Sequence, residues 1–449
     1  MRTTTALYAA LLLDGALAAT TSGTLSVLAI NVAGLPAILN DNGVPGDKAT
    51  NAATIGSKFA EHAYDVIQLQ EDFNYHAHIY RTDNHPHRTA TSGGVPFGSG
   101  LNTVSNYEWV DFRRIKWSKC SDASQSDCLT PKGFTFMRVA ISSASDNSTT
   151  AYADFYNIHA DAGVEPGDLE ARNSNVNQVA EYIATWSKGN AVVVAGDFNS
   201  RYTRAGDTAI RALLSSESPS GPGLKDAWVE VLFGNSIPPA QGGCSNPAEN
   251  NECEVVDKVF YRSSPLLNLQ ADTVRYDTSR FLQPDGNILT DHNPLFVNFT
   301  WSPGASLRQS ALFGGPHGTW FSDVPALSAI RKPKASVLTF RGGSRLDSVG
   351  LTLTDGTRLT HGGLGGTAAS LTLGASEYWT EATLCSGQRG GQTRNFSIRA
   401  ATSTGRTLTS GTTTKDCKTF VAPSGWQIVG FLGQDGSEVD QLAFVYAPR

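Results

Sequence analysis

Apolar stretches of this chain repeatedly stop at an acid, an amide or a histidine, and that recurrence constrains the fold more than any other feature. Val192–Ala195 reads as a buried strand, yet it breaks through Gly196 into Asp197, Phe198 and Asn199. "LSVLAIN" ends at Asn31, "VIQLQE" at Glu71 and "FYNIH" at His159, while Asp291 and His292 open "TDHNPLFVNF". One such ending is an ordinary strand cap. Five of them predict strands whose ends converge on a single sheet edge.

The segments between these strands are helical in period. Lys48–Ala63 carries helical spacing, and Asp168–Trp186 places Val176, Val179, Ile183 and Trp186 on one stripe. Long apolar strands alternating with such helices predict a layered α+β domain over residues 24–301. Residues 302–312 read as a linker, and beyond it the texture changes. Of the 44 glycines, 21 lie at 314–449, where helical period is lost and short Thr/Leu/Val runs alternate with tight turns, as in an all-β domain. A weak repeat runs through it: Gly356 precedes Thr-Arg-Leu-Thr-His-Gly, and Gly405 precedes Arg-Thr-Leu-Thr-Ser-Gly.

A net charge of −6 argues against a chain built mainly to neutralise nucleic-acid phosphates. It leaves room for phosphate binding through a metal. Arg2, the apolar run Ala6–Ala19 and the small-x-small pattern Ala16-Leu17-Ala18 predict a signal peptide over 1–18 and a secreted product. No later stretch reaches the ~20 apolar residues that span a bilayer. Six cysteines in three neighbouring couples, Cys120/Cys128, Cys244/Cys253 and Cys385/Cys417, fit disulfides in such a product, although six allow about 15 connectivities. Asn147, Asn298 and Asn395 open glycosylation sequons.

Carboxylates, amides and histidines gathered on one edge suit metal-assisted cleavage of a phosphate ester. Mg2+ takes one or two carboxylates and keeps waters for a substrate phosphate. A histidine paired with an acid serves as a general base near neutral pH. The short ligand spacings of a zinc site are lacking.

The ordered segments "INVAG", "QLQED", "YNIHADAG", "VVAGDFNSR", "VVDKVFYR" and "TDHNPLF" resemble the endonuclease/exonuclease/phosphatase superfamily. That deoxyribonuclease I-like group includes nucleases, inositol-phosphate phosphatases and neutral sphingomyelinases. The resemblance spans 24–301 and implies a four-layer α/β/β/α sandwich. It implies that Glu71 is the main Mg2+ ligand with Asn31 beside it, that Asp291 sits by the metal or its waters, and that Mn2+ or another divalent cation can substitute. Asp197 is expected to polarise the attacking water and Asn199 to hold the phosphate. His292 is the implied general base, oriented by Asp257, and His159 the group at the phosphate and leaving oxygen. Gly196 is expected to leave room for the phosphate, and Asn199 to rejoin the face of Asp197 by strand alternation. Asp161 is read as a turn residue, Arg172 as part of a solvated helix face, and His76, His78, His85 and His87 as a surface cluster. Arg113, Arg114, Lys116 and Lys119 are read as a solvated basic face.

"SGLNTVSNYEW" and "KGFTFMRVAI" are similar to the neutral sphingomyelinase branch, whereas Asn-Ser-Arg after Asp197 departs from the inositol phosphatases. Trp109, Phe112 and Trp117 are expected in the core, with a membrane-facing group as the alternative. "FGGPHGTWFSD" and "GWQIVGFLGQDGSEVDQLAFVY" resemble the opening and closing segments of jacalin-type lectins. That resemblance spans 313–449 and implies a β-prism of three four-stranded sheets, with Gly315, Gly436 and Asp440 as carbohydrate-binding residues. Glu438 and Val439 stand where an aromatic residue often stacks on the sugar. The expected function is therefore a secreted Mg2+-dependent phosphodiesterase, of phospholipase C type on sphingomyelin or a related phospholipid, brought to glycans by a lectin and touching membranes peripherally. A secreted endonuclease with a nucleic-acid substrate is the alternative, and a lectin on an inactive phosphoesterase-like scaffold is the reading of another class.

Overall fold

The computed structural model describes residues 22–124, 126–143, 148–214, 222–239 and 242–449; the expected leader at 1–18 and the sequon at Asn147 lie outside them. The first half runs β1 (Gly23–Asn31), α1 (Lys48–His62), β2 (Val66–Gln70), α2 (His76–Thr82), β3 (His87–Arg88), β4 (Asn102–Ser105), β5 (Trp109–Lys116) and β6 (Gly133–Ser143). It continues with β7 (Thr150–His159), α3 (Pro166–Trp186), β8 (Ala191–Asp197), β9 (Lys225–Asp226), α4 (Ala227–Phe233), β10 (Asp257–Arg262), β11 (Leu267–Tyr276) and β12 (Leu295–Pro303). These strands form two six-stranded sheets, ordered β11-β12-β1-β2-β4-β3 and β5-β6-β7-β8-β10-β9.

Each sheet contains one parallel pair, β1 with β2 and β7 with β8. Parallel neighbours need a crossover, and α1 and α3 supply them. Asp47 caps α1 by accepting the Thr50 N–H at 2.8 Å. Alternation along β1 sorts its side chains into two layers. Leu25, Val27 and Ala29 enter the core shared with the second sheet, whereas Leu28 and Ile30 pack under Ile55 and Phe59 of α1. On the opposite side, Val176, Val179 and Ile183 of α3 join the main core. The result is the expected four-layer α/β/β/α sandwich.

Strand direction then brings the polar ends together. β7 and β8 run parallel and end in register at His159 and Asp197. β10 runs antiparallel to β8 and begins at Asp257, directly opposite Asp197. β1 and β2 end at Asn31 and Gln70, with Glu71 following.

The second half is all β but for one short helix, α5 (Val324–Ser328). Its strands are β13 (Arg308–Gln309), β14 (Phe313–Gly314), β15 (Thr319–Ser322), β16 (Ala335–Gly342), β17 (Leu346–Leu353), β18 (Arg358–Gly362) and β19 (Thr367–Thr372). β20 (Trp379–Arg389), β21 (Gln392–Thr402), β22 (Thr407–Gly411), β23 (Asp416–Val421), β24 (Trp426–Asp435) and β25 (Val439–Pro448) complete it. Three sheets form a prism: β13-β25-β24-β15 with β14 also on β25, β18-β17-β16-β19, and β22-β21-β20-β23. The first has five strand segments because β13 and β14 are separate pieces along β25. The sequence repeat falls on β18 and β22, which hold equivalent edge places. Gly362 and Gly411 close those strands at φ 96° and 86°, and a Cβ on either would strike a neighbouring carbonyl.

The sandwich and prism share a buried joint. Arg138 of β6 donates through Nε and Nη2 to Asp154 at 2.8 and 2.9 Å and through Nη2 to the Trp186 carbonyl at 2.8 Å. Its guanidinium lies 3.5 Å from the centre of the Trp320 ring, which belongs to the prism. Gln434 of β24 adds a bond to Asp111 at 2.8 Å. The expected cysteine couples are bonded as Cys120–Cys128, Cys244–Cys253 and Cys385–Cys417. Asn395 is fully buried, with its amide donating to the carbonyls of Phe313 and Asp440, so the folded chain does not offer this sequon. Arg113 and Arg114 are not a free basic face either. Arg113 lies over the Trp186 ring at 3.9 Å, and Arg114 is bonded to Leu101 O, Ala90 O and Asn102. Trp117 is buried, and Trp109 and Phe112 pack on the same core.

Candidate active site

The converging strand ends floor a cleft of about 630 Å3 lined by Glu71, Lys132, His159, Asp197, Asn199, Asp291 and His292 among others. Asp257 stands behind His292. Its Oδ2 lies 2.8 Å from His292 Nδ1, which leaves Nε2 facing the cleft, 3.7 Å from Asp197 Oδ2. Burial opposes an imidazolium here, but Asp257 and Asp197 outweigh it and hold the His292 pKa well above the usual range. His159 goes the other way: burial, then the charges of Lys132 and His292, push it well down and keep it neutral. His159 Nε2 sits 3.5 Å from Asp197 Oδ2 and 3.2 Å from Lys132 Nζ. Burial raises the Asp197 carboxyl against the pull of His292.

Asn31 bridges the two carboxylates. Its Nδ2 donates to Glu71 Oε1 at 3.2 Å and approaches Asp197 Oδ2 at 3.3 Å, while its Oδ1 accepts the Ala33 N–H. An amide oxygen turned to a cation in this place requires the side chain to rotate by half a turn. Glu71 follows β2 at φ 53°, which turns its carboxylate inward, and its Oε2 is buried with no partner. Burial raises its pKa, Lys132 opposes, and Asp291 adds to the rise. Asp291 is exposed and accepts from Asn42 Nδ2 at 3.0 Å.

The atoms of Asp197, Asp257 and His292 also lie within 4.8 Å of one another, close enough for a shared ion. The 2.8 Å bond between Asp257 and His292 already occupies that geometry. Glu71 Oε2 and Asp257 Oδ1 are both buried carboxylate oxygens without a partner, but Glu71 lines the cleft whereas Asp257 stands behind His292, so Glu71 is the seat for a hard cation that a substrate can share.

Residues 48–221 match the family described as Endonuclease/Exonuclease/phosphatase family 2, and residues 310–445 match the Jacalin-like lectin domain. The chain joins an endonuclease/exonuclease/phosphatase domain to a jacalin-like domain. Proteins named sphingomyelinase from Mycobacterium bovis and Mycobacterium tuberculosis are 37% identical over 287 residues, covering 62% of this chain and 53% of theirs. The chain thus spans about half the length of these curated relatives. Among solved structures, D. rerio TDP2 complexed with a single-strand DNA product aligns at 16% identity and a TM-score of 0.43, over 62% of this chain and 98% of that one. AcmJRL, a mannose-binding jacalin-related lectin from Ananas comosus, aligns at 21% identity and a TM-score of 0.28, over 32% of this chain and 99% of that one.

In the phosphatase-family domain, several residues stand differently from expectation. Asn199 does not return by strand alternation. It sits at φ 49° just past β8, with its N–H on Asp197 Oδ1 at 2.8 Å and its Nδ2 on the Ala160 carbonyl at 3.0 Å. Gly196, at φ 143°, is required by the strand packing itself, since a Cβ would strike the backbone of Ile158 on β7. Arg172 is buried rather than solvated; it binds Asp207 at 2.7 Å and the carbonyls of Asp161 and Gly163. His85 is likewise buried between Asp83 and the Tyr64 carbonyl. Asp161 ties two distant loops instead of its own turn, accepting the Ser121 N–H at 2.8 Å.

Lys132, paired with Asp127 and touching His159, is the residue the sequence reading passed over. Its signal was present. β6 runs antiparallel to β7, so the residue just before β6 lies on the edge where β7 ends.

In the jacalin-like domain the two expected loops do meet, since the Gly315 N–H donates to the Asp440 carbonyl at 3.0 Å. Gly436 closes the second loop onto the Glu438 carbonyl at 3.0 Å. The Asp440 carboxylate is not open, however. It is only 2% exposed and paired with Arg394, which also reaches Glu438 at 3.0 Å. Arg345 and Arg389 converge on Glu438 as well.

Proposed function

We propose that this protein is a divalent-metal-dependent phosphodiesterase that cleaves sphingomyelin or a closely related phospholipid in the manner of a phospholipase C. The observation that carries this reading is the Asp257–His292–Asp197 array facing the unpartnered Glu71 oxygen across one cleft. The similarity to proteins named sphingomyelinase supports the lipid over a nucleic acid.

Glu71, with Asp291 nearby and Asn31 after rotation, would hold Mg2+ or a similar cation. Such an ion neutralises charge on the phosphoryl oxygens and offsets the carboxylate charge that keeps His292 protonated. The residues themselves account for the remaining work. Asp257 fixes Nδ1–H of His292, so that Nε2 takes a proton from the attacking water. Asp197 orients that water. The oxygen adds to phosphorus, the P–O bond to the lipid alcohol breaks, and phosphocholine and ceramide separate as the alkoxide takes a proton from water and His292 returns its proton to solvent. Lys132 and Asn199 steady the phosphate, and burial, reinforced by the Lys132 ammonium at 3.2 Å, keeps the His159 imidazole neutral beside the leaving oxygen. The jacalin-like domain would carry the enzyme to glycans outside the cell.

The test is to incubate the purified chain with Mg2+ and, separately, sphingomyelin, phosphatidylcholine and double-stranded DNA, each with an EDTA control. Phosphocholine release from sphingomyelin that EDTA stops is expected; cleavage of DNA alone sinks the lipid assignment.

A further inference from the structure

Single apolar side chains on a surface are ordinary, but their grouping carries information. Among the described residues of the sandwich, the large apolar side chains left exposed are Ile38 (94%), Phe97 (85%), Val164 (58%), Leu39 (55%) and Leu129 (51%). Two of them line one opening, and the other three stand next to its lining in the chain or across a backbone tie. Leu39 and Leu129 line the cleft directly, Ile38 adjoins Leu39, and Val164 follows the lining residue Gly163. The Phe97 loop is tied beside the lining residue Phe73: Asn74 Oδ1 accepts the Val95 N–H at 3.3 Å, and the Asp72 N–H donates to the Gly100 carbonyl at 2.9 Å.

The loop carrying Ile38 and Leu39 is fixed in that posture. Lys48 sends its buried ammonium to the carbonyls of Ala33, Leu35 and Asn40 at 2.8, 3.0 and 2.8 Å. Such a brace keeps the two side chains facing water instead of folding inward.

We propose that Ile38, Leu39, Phe97, Leu129 and Val164 form a collar that seats the mouth of the cleft on a lipid bilayer. This deepens the phospholipid reading above and rests on it for the substrate. A protein capping the mouth would shut the substrate out, whereas a bilayer presents it there. Charge selects the kind of bilayer. Residues 32–46, 89–101 and 160–165 contain no Lys or Arg, Lys132 near Leu129 is paired with Asp127, and Asp41 and Asp291 are exposed beside the collar. Attachment therefore proceeds by insertion into a zwitterionic surface and not by attraction to anionic lipid.

The experiment is co-sedimentation of the full chain with vesicles of phosphatidylcholine and sphingomyelin in EDTA, at low and high salt. The comparison is an Ile38→Ser/Phe97→Ser/Val164→Ser triple, which leaves the cleft wall intact. Wild type is expected to bind at both salts and the triple to bind at least ~10-fold less. Turnover of a soluble phosphodiester with Mg2+ should be equal in the two proteins. Equal sedimentation overturns the collar, as does wild-type binding that needs anionic lipid or vanishes in high salt. Self-association lost in the triple, without vesicle binding, makes the patch a protein contact and equally overturns it. Collar-dependent vesicle binding without turnover of any phosphodiester supports the collar and sinks the phosphodiesterase reading alone.

Discussion

Replacing Arg138 by Met keeps the length and apolar stem of the side chain but removes its charge from the joint between sandwich and prism. Asp154 would then retain only the Asn190 amide, at 3.0 Å, in a site where it is fully buried. The Trp186 carbonyl would lose its donor and the Trp320 ring its cation. Breaking a buried ion pair by deleting one partner costs about 3–5 kcal/mol. That is a large part of the ~5–15 kcal/mol by which a typical domain is stable. Urea unfolding followed by tryptophan fluorescence suits the question, because Trp186 and Trp320 flank the site. We expect a lower midpoint and separation of the unfolding into two steps, with circular dichroism and fluorescence no longer coincident. An Arg138→Met/Asp154→Leu double variant removes the stranded charge and should recover most of the loss. A single variant within ~1 kcal/mol of wild type, or a double variant as unstable as the two singles added, would refute the reasoning.

Other perturbations address the two sites. Lys132→Met combined with Asp127→Asn avoids a stranded acid and should lower phosphodiester turnover by about 10²-fold, the usual effect of losing one donor to a developing charge; turnover near wild type removes Lys132 from the site. Burial pushes the Asp161 carboxyl up to about 7, against the Ser121 N–H. A carboxyl raised on folding favours the folded state below its unfolded pKa, and that advantage is lost as pH climbs through the folded value. Thermal stability should therefore fall between roughly pH 4 and pH 7 by up to about 4 kcal/mol, and Asp161→Asn should flatten the profile; an unchanged profile discards the assignment. Arg394→Ala should raise monosaccharide binding at least ~10-fold in calorimetry by freeing Asp440, each ~1.4 kcal/mol being a factor of ten, and unchanged binding means that the pair does not block the loop.

The parts of this molecule that could be read in advance are those that a one-dimensional pattern determines. Apolar strands ending in Asn31, Glu71, His159 and Asp197 needed only alternation and strand direction to meet on one edge. The parts misread depend on partners distant in sequence. Arg172 has a helical position indistinguishable from a solvated one until Asp207 folds over it. His85 looks like a loop residue until the Tyr64 carbonyl, 21 positions earlier, closes on its ring. Asn199 reaches the site through left-handed backbone and not by alternation, and Gly196 answers to close strand packing; neither leaves a trace in hydrophobic period. Asn395 satisfies a sequon motif while serving as an internal strut.

The pairing of Arg394 with Asp440 gives the jacalin-like domain a built-in competitor. A tethered group presents itself at an effective concentration of order millimolar or above, and a sugar hydroxyl seeking Asp440 would have to displace it. A lone sugar gains little from that exchange. Ligands that make contacts beyond Asp440 gain more, because only their additional bonds add to the balance. If Asp440 holds a sugar, the arginine would act as a threshold, setting how dense or extended a glycan must be before this face responds to it.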